Sequence, residues 1–151
     1  MKVRPYREQD FPEVCHVYLD AKRDELNGEQ HVVAITPLED DPVIKAAFFT
    51  SEVLVLEHSG AVGGFLAFDG EVLRALFVHS DFRGAGAGTA LMTNFLNSGV
   101  TQVEVNVAQS NVRARRFYEK LGFQVVGAVT REYGGSAIAY LNLKWSAACQ
   151  R

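Results

Sequence analysis

Residues 83–89 read Arg-Gly-Ala-Gly-Ala-Gly-Thr and lie between an apolar strand pattern, Val72–Val78, and a helical pattern carrying Leu91, Met92, Phe95 and Leu96. A strand that feeds a small-residue turn at a helix N-terminus makes an anion site. The first-turn N–H groups have no partner within the helix, and the helix dipole favours negative charge there. Glycine and alanine let a bulky anion approach the backbone closely, and Arg83 supplies a charge-assisted donor. No Lys-Ser/Thr pair follows the glycines, so the turn is not a P-loop. The third position of a dinucleotide-binding fingerprint is wrong here, and no acidic residue stands about 20 residues on at a strand end.

The rest of the chain builds a frame around that turn. Val3–Arg7 reads as a short strand, and Phe11, Val14, Cys15, Tyr18 and Leu19 follow at helical spacing. Thr36-Pro37-Leu38-Glu39 has the form of a helix start, with Thr36 as N-cap, Pro37 at N1 and Glu39 closing a capping box. That helix is expected to run to about Phe49. Val53–Leu56, Val62–Phe68 and Val72–Val78 are strands joined by turns at Ser59-Gly60 and Asp69-Gly70. Ala75-Leu76-Phe77-Val78 has no polar alternation, which puts this strand at the sheet centre, covered on both faces.

Gln102–Ala108 alternates as a strand. Ser110 is placed to cap a helix bearing Ala114, Phe117, Tyr118 and Leu121 on one stripe, with Gly122 ending it. Two strands close the chain, about Phe123–Thr130 and Ile138–Trp145, and Ser146–Arg151 is expected to fray. The order β-α-α-β-β-β-α-β-α-β-β predicts an α/β (α+β) fold: a mixed sheet with helices on both faces, in one domain spanning residues 1–151.

Composition narrows the function classes. The net charge of −3 gives no basic footprint for nucleic acid or an anionic membrane. No apolar run reaches the ~18–20 residues of a membrane span, and no signal peptide is visible, so a cytoplasmic location is expected. Cys15 and Cys149 do not make a disulfide framework, and Cys15 reads as a small core residue. His16, His31, His58 and His79 show no metal-ligand spacing, so no metal is expected.

A second block follows the turn: Asn111-x-x-Ala114-x-x-Phe117-Tyr118-x-x-Leu121-Gly122-Phe123. Together with Arg83-x-x-Gly86-x-Gly88 it resembles the GCN5-related N-acetyltransferase superfamily, in particular its small bacterial members. The two blocks cover about Val72–Phe123, and the element order extends the likeness over nearly the whole chain. The resemblance implies that acetyl-coenzyme A is the co-substrate and that a mostly antiparallel sheet splays at two central parallel strands. By the same resemblance the N–H groups of Arg83, Gly84, Ala85, Gly86, Ala87, Gly88 and Thr89 hold the pyrophosphate. The bulged strand at Leu76, Phe77 and Val78 pairs with the pantetheine arm.

The amide of Phe77 is then expected to polarise the thioester carbonyl. Asn111 contacts the cofactor arm, or serves only as a helix cap. Tyr118 protonates the leaving thiolate, or is a core tyrosine. Candidates for the base that takes the amine's proton are His79, Glu104, and a water held on Asn106. The expected reaction is direct attack by a primary amine, of a small molecule or a peptide, in a ternary complex; a non-catalytic acyl-CoA sensor is the alternative.

From Asp20 to Asp41 seven acidic residues face two basic ones, which suits steering of a cationic amine or a merely solvated face. Tyr133-Gly134-Gly135-Ser136 reads as a lid or a simple turn. The final strand, Ile138–Trp145, is a candidate for pairing in a homodimer.

Overall fold

The computed structural model describes residues 1–150. Its strands are β1 (Lys2–Pro5), β2 (Glu52–His58), β3 (Ala61–Asp69), β4 (Val72–Val78), β5 (Gln102–Ala108), β6 (Gln124–Tyr133) and β7 (Ser136–Ser146). Its helices are α1 (Phe11–Glu25), α2 (Pro42–Phe49), α3 (Ala87–Leu96) and α4 (Val112–Lys120). The strands form one seven-stranded sheet in the order β1-β2-β3-β4-β5-β7-β6. Every neighbouring pair is antiparallel except β4 and β5.

Alternation along the central strands sends side chains to two cores. Val55, Phe65, Ala67 and Phe77 pack beneath α1 and α2 with Val14, Val17, Tyr18 and Phe48. Leu56, Leu66, Leu76 and Val78 pack on the other face, with Leu91, Met92, Phe95 and Tyr118 from α3 and α4. β4 thus carries apolar residues on both sides because both sides are covered.

Four local expectations change. Asp41, not Thr36, caps α2. Its carboxylate accepts from the N–H groups of Val43 (3.1 Å) and Ile44 (3.0 Å), and Pro42 takes the N1 place assigned to Pro37. Leu38–Asp40 is only a 3-10 turn. Asn111, not Ser110, caps α4, its Oδ1 accepting from Ala114 N–H at 3.2 Å. The β3–β4 turn is Gly70-Glu71, since Asp69 still pairs with Val72. Residues Ala147–Gln150 form a 3-10 turn rather than fraying, and Ala147 N–H donates to Thr101 O at 2.8 Å.

Two larger corrections concern the C-terminal strands. β7 enters between β5 and β6, so β5-α4-β6 is not a crossover between neighbours. Both edges of β7 are therefore occupied, and the free edges of the sheet are β1 and β6. Pairing of β7 with a second copy is excluded without rearrangement. Tyr133-Gly134-Gly135-Ser136 is the β6–β7 hairpin turn, with Tyr133 paired to Ser136 and both glycines at positive φ (58° and 79°). It is pinned as well: a Cβ at Gly134 would stand 2.2 Å from Ala34 O. It is therefore not a lid.

A buried ion pair ties β1 to the start of α1. The Arg4 guanidinium donates to both Asp10 carboxylate oxygens, at 2.8 and 2.9 Å, and Asp10 also accepts from Arg7 N–H at 2.8 Å. The two residues are 8% and 4% exposed. The Arg4 hydrogen bonds hold the Asp10 carboxyl below the usual carboxylate range, against the opposing effect of burial. A folded-state pKa below the unfolded one means that the stabilisation is present above about pH 4 and is lost as pH falls through the folded value. Asp10→Ala leaves the buried Arg4 with only the longer contact to Glu57 at 3.4 Å and a bond to Pro5 O, and is expected to cost about 3 kcal/mol in urea unfolding at pH 7. The gap between variant and wild type should narrow on acidification below pH 4.

Candidate active site

β4 and β5 pair at only two positions, Val72 with Glu104 and Leu73 with Val105. The cause lies on β4. Between Phe68–Leu73 and Ala67–Ala75 the β3–β4 register slips by one, so Arg74 is an extra, bulged residue. Its guanidinium donates to Ala47 O, Thr50 Oγ1, Ser51 Oγ and Asp69 Oδ2 at 3.0–3.1 Å, fastening the end of α2 to the bulge. Beyond it the strands diverge and open a cavity of about 470 Å³.

The cavity is lined from β4 by Arg74–Val78, from the turn and α3 by Arg83, Gly84 and Gly86–Thr89, and from β5 by Val105–Val107. α4 contributes Asn111, Arg113, Ala114, Phe117 and Tyr118, and α1 contributes Ala21, Asp24 and Glu25. Of the cofactor-binding and catalytic residues expected from the resemblance, all but Ala85 line it, and of the three base candidates only Asn106 does.

At the mouth, Gly84 and Gly86 adopt φ of 79° and 81°, a region that favours glycine. Gly86 is the N-cap of α3. A Cβ at either position would meet nothing within 4 Å, so open space lies in front of the turn. Among the described residues no protein acceptor takes the N–H groups of Gly84 to Thr89, the first bond into α3 being Ala90 N–H to Gly86 O. Unpaired donors facing open space at a helix N-terminus suit a pyrophosphate.

Arg83 does not project as a free donor. Its Nε and Nη2 donate to Val78 O at 3.2 and 3.1 Å, and Nη1 pairs with Asp24. The acidic stretch is spent in the same way. Asp20 accepts from Ser80 N–H (2.8 Å) and Oγ (3.1 Å), Glu29 accepts from Ser110, and Asp41 caps α2. Only Asp24 and Glu25 of that stretch line the cavity.

The direction of the β4 amides departs from the expectation for Phe77. His79 N–H donates to Gly63 O at 2.9 Å, and the 63–79 pair is in register with Phe65–Phe77. Amides alternate along a strand, so the Phe77 N–H points to β3. Those of Leu76 and Val78 point into the split. The Phe77 ring packs beneath α1, edge-on to Tyr18 at 5.5 Å. The side-chain pattern of an all-apolar strand carries no information on this parity.

Tyr118 is 6% exposed and sits between Phe117 and Phe123, with ring centroids 5.3 and 5.1 Å away. Burial, and secondarily the Glu25 charge, push its phenol above the ordinary tyrosine value. It therefore stays protonated at neutral pH and can give its proton to an anion generated beside it, whose basicity the same burial raises. Asn111 spends its carbonyl on the α4 cap, leaving the amide NH₂ without a protein acceptor among the described residues.

The three base candidates separate. Asn106 lines the cavity, its Oδ1 accepting from Asn142 Nδ2 at 2.9 Å. Glu104 lies at the closed end of the split, its N–H bonded to Glu71 O at 2.9 Å. His79 stacks on His16 at 5.1 Å and does not line the cavity. Cys15 does not line the cavity, and burial and the neighbouring Glu39 push its thiol up to about 12. No group of three or more His, Cys, Asp or Glu among the described residues could hold a metal ion. No helix among them is long and apolar enough to cross a membrane.

The chain has relatives among known proteins. The acetyltransferase (GNAT) domain family model matches residues 44–141. The peptidyl-lysine N-acetyltransferase YjaB of Escherichia coli is 30% identical over 151 residues, covering 96% of this chain and 97% of that protein. A GCN5-related N-acetyltransferase structure from Rhodopseudomonas palustris superposes with a TM-score of 0.79 at 19% identity, over 96% of this chain and 94% of that one. So does yncA of Salmonella typhimurium, solved with its cofactor acetyl-CoA, with a TM-score of 0.68 at 16% identity over 97% and 93% of the two chains. The chain belongs to the GNAT acetyltransferase family, and it is an acyltransferase.

The position of Tyr118 gives a direct spectroscopic expectation. An alkaline titration of tyrosinate absorbance should show no difference between wild type and Tyr118→Phe up to pH 10, where an ordinary phenol, with pKa near ~10, is half ionised. A one-tyrosine difference by that pH would place the phenol in solvent.

Proposed function

We propose that the chain transfers the acetyl group of acetyl-coenzyme A to the side-chain amine of a lysine in a peptide, by direct attack in a ternary complex. The observation that carries the reading is the β4–β5 split, which runs from the free amides of the glycine turn down to the buried phenol of Tyr118. The near full-length likeness to a peptidyl-lysine N-acetyltransferase supports the acceptor class.

In this reading residues 1–151 act as one unit, and the amides of Gly84 to Thr89 hold the pyrophosphate. The pantetheine arm pairs with the free edge of β4 as an added strand would. An arm entering from the turn passes Val78 first and puts its thioester deeper, beside Leu76. The Leu76 N–H, not that of Phe77, then faces the developing oxyanion. The Asn111 amide donates to the arm. Tyr118 donates its proton to the departing thiolate. A thiolate of pKa near ~8.5 leaves poorly into an apolar cavity unless a proton is supplied, which is the part a neutral buried phenol fills.

Calorimetric titration with acetyl-CoA tests the donor half. Wild type should bind, and Gly86→Asp should not, because a carboxylate would stand where the pyrophosphate sits. Aspartate tolerates positive φ better than most residues, so the variant should remain folded. Equal binding by the two proteins would remove the turn from the site. Tyr118→Phe should bind acetyl-CoA as wild type does and lose about 100-fold in kcat; an unchanged kcat would leave Tyr118 a core residue only.

A further inference from the structure

Three cations among the described residues line the cavity, and two of them are spent. Arg74 gives its donors to the end of α2 and to Asp69, and Arg83 gives its own to Val78 O and Asp24. The third, Arg113, stands in the first turn of α4 with its side chain 69% exposed. Among the described residues its guanidinium donates no hydrogen bond, and its one ionic contact, from Nη2 to Asp24 Oδ2, is 3.7 Å long. The same Oδ2 pairs with Nη1 of Arg83. One carboxylate oxygen thus lies between two guanidinium groups. That places Arg113 at the mouth of the cavity, beside the start of the glycine turn. The α4 dipole disfavours a cation at this position, and an exposed ion contact of this length adds little stability. Fold stability therefore gives no reason for the residue.

We propose that Arg113 binds the phosphomonoester on the ribose of the acetyl donor, and so lets the enzyme tell coenzyme A from its dephospho form. This rests on the acetyl-CoA reading above. The nucleotide end of coenzyme A carries two kinds of phosphate, the bridging pyrophosphate and a terminal monoester on the ribose ring. In that reading the turn amides take the first. The second hangs one ribose away, outside the turn, with a charge of about −1.5 to −2 and three strong acceptor oxygens at neutral pH. A backbone amide offers it one N–H, whereas a guanidinium offers a planar fork that meets two oxygens of one phosphate together. Arg113 is the cation at the mouth whose fork is unoccupied. Turning to the phosphate costs it only the loose contact to Asp24, because Asp24 keeps Arg83. The interaction selects the donor at the entrance and takes no part in the chemistry at Leu76 and Tyr118.

Calorimetric titrations with acetyl-CoA and with acetyl-dephospho-CoA, which lacks only the monoester, test the assignment. Wild type should bind acetyl-CoA about tenfold more tightly, and the preference should shrink as salt is raised. Arg113→Gln should abolish the preference by weakening acetyl-CoA alone, with binding of acetyl-dephospho-CoA unchanged. Arg113→Lys, a cation without the fork, should keep only part of it. The side chain is mostly in solvent, so these replacements leave the fold intact. A wild type that binds the two donors equally overturns the assignment. So does an Arg113→Gln that keeps the preference, or one that weakens both donors by the same factor. In each of these cases the acetyl-CoA reading stands. A wild type that binds neither donor overturns that reading first, and this assignment with it.

Discussion

The site depends on a ladder that stops early. β4 and β5 share two paired positions and then part, because Arg74 inserts one residue into β4 and rotates the rest of the strand away from its neighbour. An unpaired strand edge in a protein interior would ordinarily be a fault, since backbone N–H and C=O groups need partners. Here the unpaired edge opens onto a cavity that begins at the glycine turn, where a second set of N–H groups is also free. The same backbone shortage recurs at the turn and along the split of one channel, and an extended, anion-headed molecule is the kind of ligand that would satisfy it.

The bulge is also mechanically linked to α2. Arg74 spends its donors on the last turn of that helix and on Asp69, so the residue that opens the split fixes the helix standing over it. On the far side of the cavity entrance, Asp24 pairs with Arg83 and draws α1 toward the turn. The C-terminal turn of α1 therefore meets the glycine turn through Asp24 and lines the cavity with Asp24 and Glu25.

Much of this was legible in the chain itself. Small residues at 84–88 can be spaced that way for few purposes, and Tyr118 stood out by its place in a second block. The apolar run at 75–78 revealed a strand covered on both faces because burial leaves a direct mark on residue type. The misreadings share a cause, that pairing and direction are not written in local pattern. Nothing in Ser136–Ser146 says that it enters between β5 and β6. Nothing in Leu76-Phe77-Val78 says which amide turns toward the gap. Thr36-Pro37 and Asp41-Pro42 both offer a cap and an N1 proline, and the later one wins because the helix proper begins there. Lys22 and Glu25 at i and i+3 resemble a surface pair, and only the packing of Phe77 and Tyr133 around Lys22 shows that it is buried.

The claim that the split is a binding groove for an extended chain is tested most directly by amide hydrogen exchange, residue by residue, with and without acetyl-CoA. Phe77 N–H, already directed at β3, should exchange slowly in both states. Leu76 and Val78 should exchange faster in the free protein and become protected when acetyl-CoA is added, together with the amides of the glycine turn. Protection confined to the turn, or no change at Leu76 and Val78 under saturating acetyl-CoA, would contradict the account.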